Sequence, residues 1–255
     1  MSFPTGAYDT AGVSDDDVFD AWSIVANTIS EYEPVHMLCH PDRLVIAQKR
    51  LASAVTLHAF EIDDAWMRDA GPTFVTDERR LGGVDWIFNG WGGNTAFDWN
   101  QDAKVASHII ELTGAKQLCS DLVNEGGGIH VNGQGDVILT RTVQLDPGRN
   151  PIATEDTVEK EIHQKLGTHH AIWFDRGLWR DYQDHGPRGH VDMIAAFVPD
   201  GSVLLHRQVN INHPDNALWR HHRETLEAAG FKVRALPAPQ IAKDSTGWVG
   251  YSYVN

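Results

Sequence analysis

Cysteine is nearly absent from this sequence: 255 residues contain two, Cys39 and Cys119. They form no CxxC pair, which excludes a zinc ribbon and a thioredoxin-like site. Two isolated thiols in an acidic chain read as reduced, core-type residues of a cytoplasmic protein. Long apolar runs are missing too, and none reaches the roughly 18 residues of a membrane helix. The opening MSFPTGAYDTAG lacks the basic and apolar regions of a signal peptide. Positive charge is scarce, with 21 Lys and Arg against 35 Asp and Glu and a net charge of −14. That balance argues against nucleic-acid or anionic-membrane binding and suits a cationic small molecule. GxxxxGK[ST], GxGxxG spacing and HExxH are all absent, so neither a phosphate loop nor a zinc-protease helix is expected.

What is present is ample core material, 42% apolar, in a mixed pattern. Ser14 followed by Asp15, Asp16 and Asp17 predicts a capped helix over 14–31, with Val18, Trp22, Val25 and Ile29 at helical spacing. Strands are expected at VHMLC, VTLHAFEI, PTFVTD, GVDWIFN, KQLCSDLV, GGIHV, DVILT, AIWF, GHVDMIAAFV, SVLLHRQV and FKVRALP. Helices are expected over 41–51, 98–113, from Thr154 to near Gly167, and over 214–229. DERRLGG and NGQG read as hairpin connections and DPGRNP as a turn. A strand, helix, strand and hairpin unit recurs around 35–90, 117–175 and 190–236, which predicts an α/β fold of repeated small units in one domain over 1–255. The closing GWVGYSYVN reads as a strand cut inside a structural element.

Three segments could carry chemistry. WMRDAGP places Asp69 beside Arg68 and Trp66 ahead of a Gly-Pro turn, where a structural Asp–Arg pair is the plainer alternative. NEGGGIHVNGQGD places Glu125 before three glycines that allow close backbone approach, or that simply turn between strands. GHVDM, read as a strand, points His190 and Asp192 to one face, an acid/base beside a fixed negative charge that raises its pKa. A metal hydrolase using His190, Asp192 and another histidine is a third reading, without a ligand spacing to support it. The neighbouring pairs His169–His170 and His221–His222 read as surface residues.

Together these segments resemble the agmatine deiminases, in the peptidylarginine-deiminase-like branch of the guanidino-group-modifying pentein superfamily. The matching stretches are MSFPTGAYD, DDAWMRDAGPTFV, FNGWGGNTAFDWNQDAKVA, NEGGGIHVNGQGDVILT, LDPGRNP, RGHVDMIAAFV and YSYVN, in family order along the whole chain. The resemblance implies a pentein-type α/β propeller of ββαβ units around a central site. In this chain it would be incomplete at the C-terminus and slightly at the N-terminus. It also implies hydrolysis of agmatine to N-carbamoylputrescine and ammonia, with no metal or other cofactor, and a homodimer.

By the same resemblance Asp69 and Asp192 hold the guanidinium, His190 is the acid/base and Glu125 orients and charges it. Trp66 walls the pocket over the flat cation. The family nucleophile, a cysteine in a Gly-Gly-Gly-x-x-His-Cys context, has no counterpart in this chain, since neither Cys39 nor Cys119 stands in that context. The resemblance therefore implies a fragment that is itself inactive: part of an active deiminase whose cysteine lies beyond YSYVN, or alternatively a non-catalytic guanidine- or polyamine-binding remnant. Pro187-Arg188 ahead of GHVD departs from the acidic residue of several relatives and leaves arginine or peptidylarginine as alternative substrates.

Overall fold

The computed structural model describes residues 1–6, 13–77, 79–93, 98–183, 186–240, 243–244 and 247–255. Parts of the MSFPTGAYD and FNGWGGNTAF stretches, residues 7–9 and 94–97, lie outside the described residues.

Helix α1 (Asp15–Ser30) starts as its sequence dictates, with Ser14 and Asp17 closing a reciprocal capping box. Its buried face, with Phe19 and Ala26, packs on the parallel pair β1 (Val35–Cys39) and β2 (Val55–Ala59). A single 3₁₀ turn and α2 (Leu44–Arg50) connect these two strands.

Three further sheets then repeat one plan. Strand β3 (Thr73–Thr76) pairs antiparallel with β4 (Leu81–Ile87). A one-turn helix, α3 (Met67–Ala70), leads into that hairpin. Helix α4 (Val105–Thr113) carries the chain to β5 (Lys116–Val123), which lies parallel to β4. Next, β6 (Ile129–Val131) and β7 (Asp136–Thr140) form a hairpin, α5 (Glu155–Leu166) crosses over, and β8 (His170–Phe174) lies parallel to β7. Last, β9 (Ala195–Phe197) and β10 (Val203–Arg207) form a hairpin, followed by α6 (Leu218–Ala228) and the parallel β11 (Val233–Pro237). In each sheet the second hairpin strand is central and carries the buried residues, Val84, then Val137 to Leu139, then Val203 and Leu205.

The repeat therefore begins at a hairpin, not at the lone strand expected from the sequence, and its frame runs 73–123, 129–174 and 195–237. The LGG of DERRLGG belongs to β4 and not to the connection. The helix expected over 98–113 splits into the 3₁₀ turn Asp102–Lys104 and α4. The helix expected over 214–229 begins at Leu218. His222 is buried in α6, stacked on Phe174 at 4.1 Å between ring centroids, so the surface reading of that pair holds only for His221. The chain end is not one strand. A two-residue pair, β12 (Lys243–Asp244) with β13 (Gly247–Trp248), precedes irregular chain.

Together these sheets and helices make a mixed α/β fold, and among the described residues no helix is long and apolar enough to cross a membrane. The repeat also places the chemistry. Asp69 lies in the connection from β2 into β3, Glu125 in that from β5 into β6, and His190 and Asp192 in that from β8 into β9. Each sits where one unit ends and the next begins.

Candidate active site

The four titratable residues named from sequence, Asp69, Glu125, His190 and Asp192, come together, and the glycine run is what lets them. A Cβ at Gly127 would stand 2.3 Å from His190 Nδ1 and 2.8 Å from Asp69 Oδ1, so no larger residue fits. The Gly127 N–H donates to Asp69 Oδ1 (3.1 Å), and its carbonyl accepts from the Val191 and Asp192 amides (3.0 and 3.2 Å). One peptide thus ties Asp69 to the GHVD segment. Gly126 makes the same kind of room for the Arg68 carbonyl, which its Cβ would meet at 2.1 Å.

GHVDM is not a strand. Val191 to Ile194 form a turn, with the Ala195 amide donating to the Val191 carbonyl at 3.0 Å, and β9 begins only at Ala195. His190 and Asp192 converge through that turn and its bonds to Gly127, not through strand alternation.

His190 is buried, with Nε2 3.3 Å from Glu125 Oε2 and Nδ1 3.8 Å from Asp69 Oδ1. Burial opposes its charge, but Asp69, Glu125 and Asp192 together overcome that and push its pKa up to about 9. His190 is therefore an imidazolium at neutral pH. Glu125 is wholly buried, and burial works against its charge. The Arg149 guanidinium and the His190 hydrogen bond outweigh that and hold the carboxyl below the usual carboxylate range.

Asp192 is pushed up to about 6, first by burial, with His190 pulling it down and Asp69 pushing it up. Its Oδ2 accepts from Asn255 Nδ2 at 3.3 Å, whereas Oδ1 is buried with no partner among the described residues. Asp69 by contrast already accepts from Gly127 on one oxygen and from Trp91 Nε1 (3.0 Å) on the other. Trp66, the expected pocket wall, precedes α3 and is 43% exposed, edge-on to Trp22 at 6.4 Å.

Sequence reasoning missed Arg149, Asp146, Trp91 and Asn255. DPGRNP reads as a turn by composition, and in the structure Asp146, Arg149 and Asn150 of that turn are all buried. The available signal was an Asp–Arg pair at i,i+3 inside a Gly/Pro turn, which has no periodicity to mark it as interior. Trp91 holds a left-handed backbone (φ 58°), uncommon for a bulky residue and the kind of strain found at functional sites. Arg188 also has positive φ (67°), and its half-exposed side chain lies 3.6 Å from Asp146 Oδ2. Neither cysteine touches the cluster. Cys39 packs with Phe3, Phe19 and Met37, and burial pushes its thiol up to about 11 despite Arg43. Cys119 is exposed on β5, opposite Asp85 of β4. An apolar cavity of about 610 Å³, lined by Met1, His36, Met67, Phe74 and Leu112 among others, includes none of Asp69, Glu125, His190 and Asp192.

The Streptomyces coelicolor protein named "Putative agmatine deiminase" is 48% identical over 243 residues, 92% of this chain and 72% of its own length. Its Streptomyces avermitilis namesake is 46% identical over 244 residues, 92% and 70% of the two chains. The solved agmatine deiminase of Enterococcus faecalis superposes with a TM-score of 0.89 at 28% identity, over 100% of this chain and 76% of that one. The family model of the Porphyromonas-type peptidyl-arginine deiminases matches residues 1–255, and the chain belongs to that family.

Proposed function

We propose that this chain is an agmatine deiminase-type hydrolase, converting agmatine to N-carbamoylputrescine and ammonia. The observation that carries the reading is His190 set between Asp69 and Glu125, with one oxygen of Asp192 buried and without a partner among the described residues. A planar guanidinium offers the paired N–H donors that such an oxygen lacks. Asp192 and Asp69 would fix the cation so that its carbon is presented for attack. A cysteine thiolate then bonds that carbon, the C–N bond to one amino group breaks, and His190 gives its proton to the departing ammonia. Neutral His190 next takes a proton from water. The resulting hydroxide displaces the thiolate and leaves the ureido product.

We place this cysteine outside residues 1–255. The reading rests on the surroundings of Cys39 and Cys119 and on relatives that extend beyond the matched part. In the same reading the three ββαβ sheets and the β1–β2 pair are blades of a pentein-type propeller, and 1–255 forms a single deiminase-like domain. The half-exposed Arg188 side chain lies 3.6 Å from Asp146 Oδ2, which supports agmatine over arginine or peptidylarginine as the substrate.

The remoteness of both cysteines also favours a second reading, a guanidine- or polyamine-binding protein without turnover. Ammonia release from agmatine, arginine and peptidylarginine, measured on the protein extended through the proposed cysteine and beside calorimetric titration with agmatine, separates the two. Release from agmatine is the expected result. Saturable binding without release gives the second reading, and neither release nor binding overturns both.

A further inference from the structure

Arg149 spends every nitrogen of its side chain on the polypeptide around His190. Its Nε stands 2.9 and 3.1 Å from the two Glu125 oxygens, its Nη1 donates to Asp146 Oδ2 at 2.7 Å, and its Nη2 donates to the Pro187 carbonyl at 2.8 Å. The Arg149 and Glu125 side chains are both fully buried. Asp146 is itself fixed, since its Oδ1 accepts from the Gly148 amide at 2.9 Å. Pro187 lies three residues before His190, so one guanidinium grips both the carboxylate bonded to His190 and the chain that delivers it.

We propose that Arg149 is a positioning residue that locks Glu125 against His190 as a carboxylate, with Asp146 as its anchor. The inference rests on the reading of His190 as the acid/base. The alternative is an ion pair that merely stabilises the fold. Three features speak for positioning. The pair is continuous with His190 through Glu125 Oε2. The planar fork reaches three differently placed acceptors at once, which the single ammonium of a lysine does not. Finally, taking one partner from a buried pair leaves the other charge uncompensated, and a carboxyl answers by holding its proton.

The charged groups that bear on this pair are few. His190 and Arg149 face Glu125; Asp69 and Asp192 face His190, and Asp181 lies within its electrostatic reach; Arg188 faces Asp146. Of these Arg149 is the nearest fixed cation to Glu125, so it sets the carboxyl's charge.

The test is a carbon-13 titration of the Glu125 carboxyl in the full chain, which needs no turnover and so stands or falls apart from the deiminase reading. Arg149→Met should raise the Glu125 titration midpoint by about one pH unit or more, tenfold in proton affinity. Arg149→Lys should raise it by less, and Asp146→Asn should not raise it, because the guanidinium then loses a competing anion. Circular dichroism at matched pH checks the fold of each. An unchanged midpoint in folded Arg149→Met overturns the proposal. If that variant does not fold, Arg149→Lys decides: a raised midpoint with weakened agmatine binding supports it, and an unchanged midpoint overturns it.

Discussion

The α-carbon of Gly127 lies so close to His190 that a Cβ there would stand 2.3 Å from the imidazole Nδ1. The same residue donates its amide to Asp69 and accepts the amides of Val191 and Asp192 through its carbonyl. The glycine run is thus the surface against which three separate connections of the fold are assembled.

Gly127→Ala is the most direct consequence. Its methyl would displace either the imidazole or the Asp69 carboxylate, both held by further bonds. Overpacking of this kind costs roughly 1–3 kcal/mol. Thermal unfolding should show that loss, and calorimetry should show agmatine binding reduced by more than the unfolded fraction explains. Unchanged binding in a folded variant would mean that the cluster yields easily and that Gly127 does not define it.

Asp192 predicts a pH dependence for binding. Its carboxyl is pushed up to about 6 by burial, against the pull of His190. A guanidinium needs the ionised form. Agmatine affinity should therefore fall as pH drops through about 6, the value to which Asp192 is raised. In Asp192→Asn, affinity should already be low at neutral pH and nearly flat across the same range. A steep acid limb that survives the substitution would assign the titration to another group.

The fold was legible in its parts and the site in its list of residues, but not in how either is assembled. Capping at Ser14 and Thr154, the helix ends at Gly114 and Gly167, and most strands follow from local sequence. The frame of the repeat does not, because strand pairing across a helix is not a local property. Asp69, Glu125, His190 and Asp192 were named on motifs and do converge. Their convergence by turns could not be read from alternation, and GHVD shows this, since its apparent strand is a turn bonded to Gly127. Arg149 escaped notice because charged residues in a Gly/Pro turn are ordinarily exposed. Only the fold shows that this turn points inward.

His190 links pH to stability. Its folded pKa of about 9 lies above its ordinary value of 6.5, so the folded state binds the proton more tightly. The stabilisation from its ion pairs is complete below about 6.5 and is lost as pH rises through about 9. Thermal unfolding followed from pH 6 to 10 should fall more steeply in the unsubstituted protein than in His190→Gln, roughly over the window set by those two pKa values. Parallel curves would show that His190 is not charged in the native cluster.

Thr140 offers a test of positioning without touching a charge. It ends β7 fully buried, and its hydroxyl donates to the Gly189 carbonyl at 2.7 Å, one residue before His190. Thr140→Val keeps the shape and orphans that carbonyl, at a cost of about 1–3 kcal/mol. Agmatine binding should weaken several-fold while its acid limb keeps its midpoint, because Asp192 is untouched. A shifted midpoint would mean that the Gly189 peptide holds Asp192 as well as His190.

The two cysteines give the sharpest test of the proposed chemistry. Burial raises Cys39 to about 11, so at pH 7 about one thiol in 10⁴ is ionised. A buried thiol so rarely ionised is a poor nucleophile; it packs among Phe3, Phe19 and Met37, and the Arg43 charge does not offset its burial. Cys119 is exposed, but it stands on β5 within a different sheet edge from the His190 turn. Ammonia release from agmatine should accordingly be the same for the protein and for Cys39→Ala/Cys119→Ser, and agmatine affinity should be unchanged. Release abolished by Cys119→Ser alone, in a protein that still binds agmatine, would move the nucleophile onto β5 and would require that strand to meet the cluster in the working enzyme. Release that persists in the double variant leaves a thiolate from outside residues 1–255, or water activated by His190, as the attacking group. Trapping with a haloacetamidine, a guanidinium mimic that alkylates thiolates, distinguishes these two, because only the thiolate acquires a stable adduct mass.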